Sequence, residues 1–325
     1  MTQKTVERLL KSLLSGYSVY SPIRHGDKVF VSKISAPAQV DWSSDIPFNT
    51  FKSIFLPPKE ALMNIKDGKV KTNTSSPESS VAWGMNILDL RALTLFEQVF
   101  AKDVYYQNRR RKTLIVGFSN GIEDDLRKYK VFQKNYEEDV LEHLVFDIFI
   151  QRQKDGNLLF FTGSEKGQLI LEQNKIKDYE NIEFAGIIPE QGVDPSIAIK
   201  RESVELGEDN PIWDELAKIC LACGKCTIHC PTCFCFDQKD EANSDGVTKI
   251  RQWTSCYYPE FSKVAGGHKD LDSVKKKIYY WYYHKFVRIP EEFSYYGCVS
   301  CMRCYKVCPV AINIQKVLSE LNNQK

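Results

Sequence analysis

All eleven cysteines of this 325-residue chain lie between Cys220 and Cys308, and eight of them fall into two copies of one spacing. The first run is Cys220-x2-Cys223-x2-Cys226-x3-Cys230-Pro231, and the second is Cys298-x2-Cys301-x2-Cys304-x3-Cys308-Pro309. A C-x2-C-x2-C loop wraps three thiolates around one [4Fe–4S] cubane, and the cysteine before proline ligates the other cluster of a pair. The spacing therefore assigns Cys220, Cys223, Cys226 and Cys308 to a first cluster, and Cys298, Cys301, Cys304 and Cys230 to a second. Pro231 and Pro309 end each run where a continuing helix would misdirect the fourth ligand. Zinc asks for one tetrahedral set, typically two C-x2-C pairs, not two matched four-cysteine runs. Disulfides fit small secreted chains, and nothing in this sequence suggests secretion.

Cys233, Cys235 and Cys256 are left over. They are either small buried residues packed beside the clusters or the thiolates of a third metal site completed by a carboxylate or an imidazole. Asp237, in the compact Cys233-Phe234-Cys235-Phe236-Asp237 segment, is a better fourth ligand than His268 in the Gly267-His268 step. His229, between Cys226 and Cys230, suits tuning of a cluster's surroundings more than ligation of iron.

The formal net charge of +2 argues against non-specific nucleic-acid binding. No stretch reaches the roughly 18 apolar residues of a membrane span. The N-terminus reads as an amphipathic helix and not a signal peptide, with Val6, Leu9, Leu10, Leu13 and Leu14 on one face and Gly16 stopping it. A reducing, cytoplasmic location follows, since exposed clusters and this many thiols survive poorly elsewhere.

The pattern implies an α+β chain: a mixed α/β domain for partner docking over residues 1–205, then an α-helical dicluster ferredoxin domain over 206–325. In the first, Ser18–Ile34 reads as a hairpin turning at His25-Gly26-Asp27-Lys28. A helix is predicted at Asp89–Phe100, a buried strand at Thr113–Phe118, a helix at Val140–Gln151, and strands at Asn157–Phe161 and Gln168–Glu172. Lys71–Ser80 reads as an exposed loop. In the second, helices are predicted at Ile212–Ile219 and Ile314–Asn322, and the 67-residue insert between Cys230 and Cys298 is rich in helix-compatible residues. The aromatic stretch Ile278–Phe286 reads as a helix wedged between the cluster core and a partner. Arg109–Lys112 reads as a solvated helix end.

Several segments together carry a family likeness: Cys223-Gly224-Lys225-Cys226-Thr227, Cys230-Pro231-Thr232-Cys233-Phe234-Cys235-Phe236-Asp237, Trp253-Thr254-Ser255-Cys256, Gly267-His268, His284-Lys285-Phe286 and Gly297-Cys298-Val299-Ser300-Cys301. Upstream, Phe55-Leu56-Pro57-Pro58-Lys59-Glu60, Asp89-Leu90-Arg91-Ala92, Tyr105-Tyr106 with Arg109-Arg110, and Thr113-Leu114-Ile115-Val116-Gly117 extend it. The chain resembles the iron–sulfur beta subunit of soluble multisubunit [NiFe] hydrogenases of the sulfhydrogenase type, a kind of subunit that anaerobic sulfite reductase also contains. The resemblance implies an electron relay with three partners: a catalytic subunit, a small iron–sulfur subunit, and a flavin subunit that exchanges hydride with NAD(P)H. Two positions depart from the family, which often has cysteine where this chain has Leu88 and Asn120.

No Gly-x-Gly-x-x-Gly or Gly-x4-Gly-Lys-Ser/Thr occurs, so flavin and nucleotide binding have no motif in this chain. The leading reading is a non-catalytic electron-transfer subunit of a cytoplasmic hydrogenase complex. The alternatives are the equivalent relay of a sulfite reductase, or a catalytic site at an unusually ligated third cluster.

Overall fold

The computed structural model describes residues 1–73, 77–122, 125, 140–187, 201–244, 246–295 and 297–323. Its strands among these are β1 (Ser18–His25), β2 (Lys28–Lys33), β3 (Lys59–Lys66), β4 (Lys69–Thr72), β5 (Ser80–Met85), β6 (Thr113–Ser119), β7 (Ile148–Arg152), β8 (Leu158–Thr162), β9 (Glu180–Asn181), β10 (Phe236–Asn243) and β11 (Gly246–Trp253). They form two sheets, β2-β1-β5-β6-β7-β8-β9 and β10-β11-β3-β4. The chain divides into two compact units. One takes Met1–Phe55, Ser76–Asp194 and Val299–Cys301, and the other takes Leu56–Ser75, Pro195–Cys298 and Met302–Lys325. Helices and sheets both occur, as an α+β chain requires.

The larger sheet organises the first unit. Strands β1, β5, β6 and β7 run parallel, and β2 and β8 close antiparallel against them. Every residue of β6 is buried, as a central strand covered on both faces must be. One face carries the N-terminal helix Gln3–Leu14, whose Val6, Leu9, Leu10 and Leu13 pack with Val19, Trp83, Val116 and Ile150. Burying that stripe stabilises the fold by about 1.5–3 kcal/mol per side chain. On the other face, Gly117 lets the helix Ile87–Val99 approach. A Cβ at Gly117 would stand 3.0 Å from the Leu90 side chain and 2.4 Å from the Phe149 ring.

Two sequence expectations fail in this unit. Val140–Gln151 is not a helix: a short 3-10 turn at Val140–His143 is followed by β7. Ile148, Phe149 and Ile150 form a buried run of β-branched and aromatic residues, and pairing with both β6 and β8 outweighs their helical spacing. Gln168–Glu172 is not a strand but lies within the helix Glu165–Gln173. The Ser164 hydroxyl accepts the Gly167 N–H at 3.1 Å and itself donates to the Asp147 carboxylate at 2.7 Å, so a cap signal decides the element. The exposed-loop expectation at Lys71–Ser80 overlaps the end of β4, and residues 74–76 lie outside the described residues.

In the second unit the helices Ile212–Ile219, Val274–Tyr283 and Ile314–Asn323 surround a core of Trp213, Leu216, Ile278, Tyr282, Leu318 and Leu321. Cys220, Cys226, Cys298 and Cys304 pack against that core. The aromatic stretch is helical as expected, continuing into a π-helical turn at His284–Arg288. The insert between the cysteine runs also contains a long hairpin, β10–β11, which its charged composition does not announce. β3 pairs with β11, the Arg251 guanidinium meets the Glu60 carboxylate at 2.7 Å with both nearly buried, and the Trp253 indole donates to the Leu56 carbonyl at 3.0 Å. The Leu56–Glu60 segment thus braces the base of the hairpin.

Candidate iron–sulfur centres

The two cysteine runs share a backbone device. Left-handed residues flank the second cysteine of each: Ala222 (φ 48°) and Gly224 (φ 71°) around Cys223, Ser300 (φ 57°) and Met302 (φ 57°) around Cys301. That conformation costs a non-glycine residue about 1–2 kcal/mol, so Ala222, Ser300 and Met302 are held there by their surroundings. Right- and left-handed residues in succession turn their N–H groups toward one side, which is how backbone cradles an anionic guest. At Gly224 a Cβ would stand 2.7 Å from the Tyr258 ring and 2.8 Å from the Ser255 hydroxyl. The loops feed the short helices Lys225–Ile228 and Arg303–Lys306, which pack together and bring one run to the other.

Cys220, Cys223, Cys226 and Cys308 line one cavity, together with Cys304. Its walls include Tyr257, Ile278, Trp281, Tyr282 and Ile312. The Ala222 N–H donates to the Cys220 sulfur and the Ile312 N–H to the Cys308 sulfur, each at 3.4 Å. Burial pushes the Cys220 thiol up, and burial with the neighbouring thiols pushes Cys226 up to about 12. Positive irons compensate such thiolates on binding. The donor set, the N–H groups aimed at sulfur and the apolar walls all fit a cubane. Among the described residues, no three His, Cys, Asp or Glu side chains converge as the ligands of a single metal ion would.

Cys230 is not part of this lining. It is buried beside Lys285, a residue only 2% exposed, whose ammonium donates to the Cys230 sulfur (3.2 Å), the Thr232 hydroxyl (3.1 Å) and the Gly297 carbonyl (2.9 Å). Burial opposes the Lys285 charge, but Cys230, Cys233 and Cys298 outweigh it and hold the ammonium well above its usual range. The Cys233 hydrogen bond lowers the Cys230 thiol well below its usual range against burial, with Lys285 and Thr232 adding to the effect. Cys230 and Cys298, from opposite runs, thus share one lysine neighbour. Cys301 is buried as well, at 7% exposure.

The hairpin brings two of the leftover cysteines together. Phe236 opens β10 opposite Trp253 at the end of β11, and the Thr254 N–H donates to the Cys235 carbonyl at 3.1 Å. The Cys256 thiol, raised well above its usual range chiefly by burial, feels Cys235 and Cys226, and Cys233 feels Cys230 and Cys235. Asp237 is 44% exposed and pairs with Lys239 at 3.4 Å. His268 is exposed and pairs with Asp270 at 3.2 Å. Arg110, from the basic run, pairs with Glu97 at 2.7 Å.

Sequence reasoning gave Lys285 and His284 no role beyond their place in a family motif. Their signal was polar residues inside an aromatic helical stretch. His284 stacks on Tyr280 and meets Phe234 edge-on, both at 5.8 Å between centroids. Burial, with the Lys285 and Arg288 charges, pushes its imidazole down to about 4.

Residues 219–312 match the 4Fe-4S dicluster domain family. The chain is similar to the sulfhydrogenase 2 subunit beta of Pyrococcus furiosus, with 28% identity over 316 residues, 93% of this chain and 92% of the relative. No solved structure matches the chain. The resemblance carried by the motifs therefore holds over nearly its whole length. The chain carries [4Fe–4S] clusters, and its role is electron transfer. No helix among the described residues is long and apolar enough to cross a membrane.

Proposed function

We propose that this chain relays electrons between a flavin subunit linked to NAD(P)H and the catalytic subunit of a cytoplasmic [NiFe]-hydrogenase complex, beside a small iron–sulfur subunit. Residues 1–205 serve partner docking, and 206–325 hold the clusters. The observation that carries the relay is one cavity lined by Cys220, Cys223 and Cys226 of one run and by Cys304 and Cys308 of the other. In the proposed ligation Cys220, Cys223, Cys226 and Cys308 hold one cluster, and Cys298, Cys301, Cys304 with Cys230 hold the second. Cys233, Cys235 and Cys256 either pack beside these two clusters or hold a third, for which Asp237 is the candidate fourth ligand. When bound, the clusters supply one-electron redox steps. The chain's own residues exclude water, aim N–H groups at sulfur and fix the thiolates in place. The name of the relative supports the hydrogenase setting.

The test is a Cys301→Ser complex assayed for three activities. Coupled transfer from NAD(P)H to the terminal acceptor stops, while diaphorase activity with an artificial acceptor and dye-linked activity at the catalytic metal persist. Unchanged coupled transfer with the cluster demonstrably gone would refute the relay.

A further inference from the structure

We infer that Lys285 raises the redox potential of the cluster ligated through Cys230 above that of the cluster held by Cys220, Cys223, Cys226 and Cys308, and so fixes their order in the relay. The inference rests on the two-cluster ligation proposed above. Its basis is the chemistry around one ammonium group. All three Lys285 donors are engaged, one on the Cys230 sulfur and two on the uncharged oxygens of Thr232 and Gly297. A buried ammonium persists only beside a compensating negative charge, and sulfur is the one anionic partner of these three. The contact is built. The Thr232 hydroxyl donates to the Gly297 carbonyl at 2.6 Å, the Gly297 N–H donates back to the Lys285 carbonyl at 3.1 Å, and the ammonium lies 5.5 Å from the Trp281 ring centroid. Lys285 also lies in a π-helical turn, a distortion that concentrates at functional sites.

The first cavity differs. Its Cys220 and Cys308 sulfurs receive backbone N–H groups, and Lys225 on its lining is solvent-exposed, where water and salt screen its charge. Reduction adds one electron to a cluster, with no bond made or broken and the Lys285 proton retained. The added electron makes the cluster more negative, and a buried cation at hydrogen-bond distance from a ligand sulfur stabilises that state. Removing the cation therefore lowers the potential of that cluster alone.

The experiment is an electron paramagnetic resonance redox titration of the anaerobically prepared full chain, with iron and sulfide analysis first. Wild-type protein without at least two clusters would refute the ligation reading itself, separately from the present inference. With clusters loaded, Lys285→Gln lowers the reduced-to-oxidised ratio of one signal at least tenfold at fixed ambient potential, about 59 mV for a one-electron couple. Lys285→Arg keeps the charge and most of the potential. A Gln variant with full iron content and two unmoved midpoints overturns the inference. Should the Gln variant lose iron, wild-type protein labelled with 15N-lysine decides. A lysine nitrogen coupled to the higher-potential signal supports the assignment, and no lysine coupling on either signal overturns it.

Discussion

Gly297 and Lys285 are bonded in both directions: the Gly297 N–H donates to the Lys285 carbonyl at 3.1 Å, and the Lys285 ammonium donates to the Gly297 carbonyl at 2.9 Å. A Cβ at position 297 would stand 2.8 Å from the Lys285 carbonyl oxygen and 2.7 Å from Ile289 Cδ1. Backbone cannot yield as a side-chain tip can. Gly297→Ala should therefore destabilise the protein by about 2–3 kcal/mol and lower its iron content. Urea unfolding and iron analysis check this, and an unmoved midpoint with full iron would contradict the close packing.

The shared cavity predicts where a ligand change is felt. Cys308→Ser should disturb the cluster of Cys220, Cys223 and Cys226, while Cys230→Ser should disturb that of Cys298, Cys301 and Cys304. Comparing the paramagnetic signals of the two variants tests the crossing. Loss confined to each mutated residue's own run would reject it.

The hairpin base makes a third centre a matter of counting iron. Iron should number about twelve per chain and fall to about eight in Cys256→Ser if these cysteines bind a third cluster, and about eight in both proteins if they do not. An unchanged count would leave Cys256 as packing alone.

His284 links stability to pH. Its imidazole is held down to about 4 by burial, against 6.5 for the free group. Between those values the unfolded chain binds more protons than the folded one, so stability falls as pH drops from 6.5 toward 4. The loss of stability is about 2 kcal/mol at pH 5 and nil above neutrality. Denaturant midpoints at pH 7 and pH 5 should converge in His284→Phe by about that amount relative to wild type. Equal pH dependence in both proteins would rule His284 out.

Arg251 and Glu60 make a buried ion pair between β11 and β3. Arg251→Ala strands a buried carboxylate and should cost about 3–5 kcal/mol, whereas Arg251→Met with Glu60→Leu should recover most of it. Thermal unfolding of the two variants separates these outcomes.

The cysteine runs were legible because the spacing of thiolates is dictated by the cluster and not by the fold. The N-terminal helix and the first hairpin were legible because Val6, Leu9, Leu10 and Leu13 mark one face and Gly26 marks a turn. β7 was not, because Ile148–Ile150 is apolar without interruption, and only neighbouring strands distinguish a buried strand from a buried helix. β10 was not, because Asp237, Lys239, Asp240 and Glu241 leave no apolar alternation; cross-strand pairing with β11 holds it instead. Lys285 was hidden for another reason. A lysine in an aromatic helix reads as its polar edge, and only the π-turn and Gly297 reveal it as interior.

Twenty residues separate Cys235 from Cys256. As a floppy loop, closing them would cost roughly 3 kcal/mol of entropy. Inserted as β10 and β11, they zip from neighbours in sequence, an event of about 1–10 μs. Once β3 pairs with β11 and braces it, the hairpin holds this pair of thiols at a shared base before any iron or sulfide is bound. For the third centre, where these thiols bind one, assembly would then be a docking step onto a finished template, its speed set by cofactor supply and not by a search through conformations.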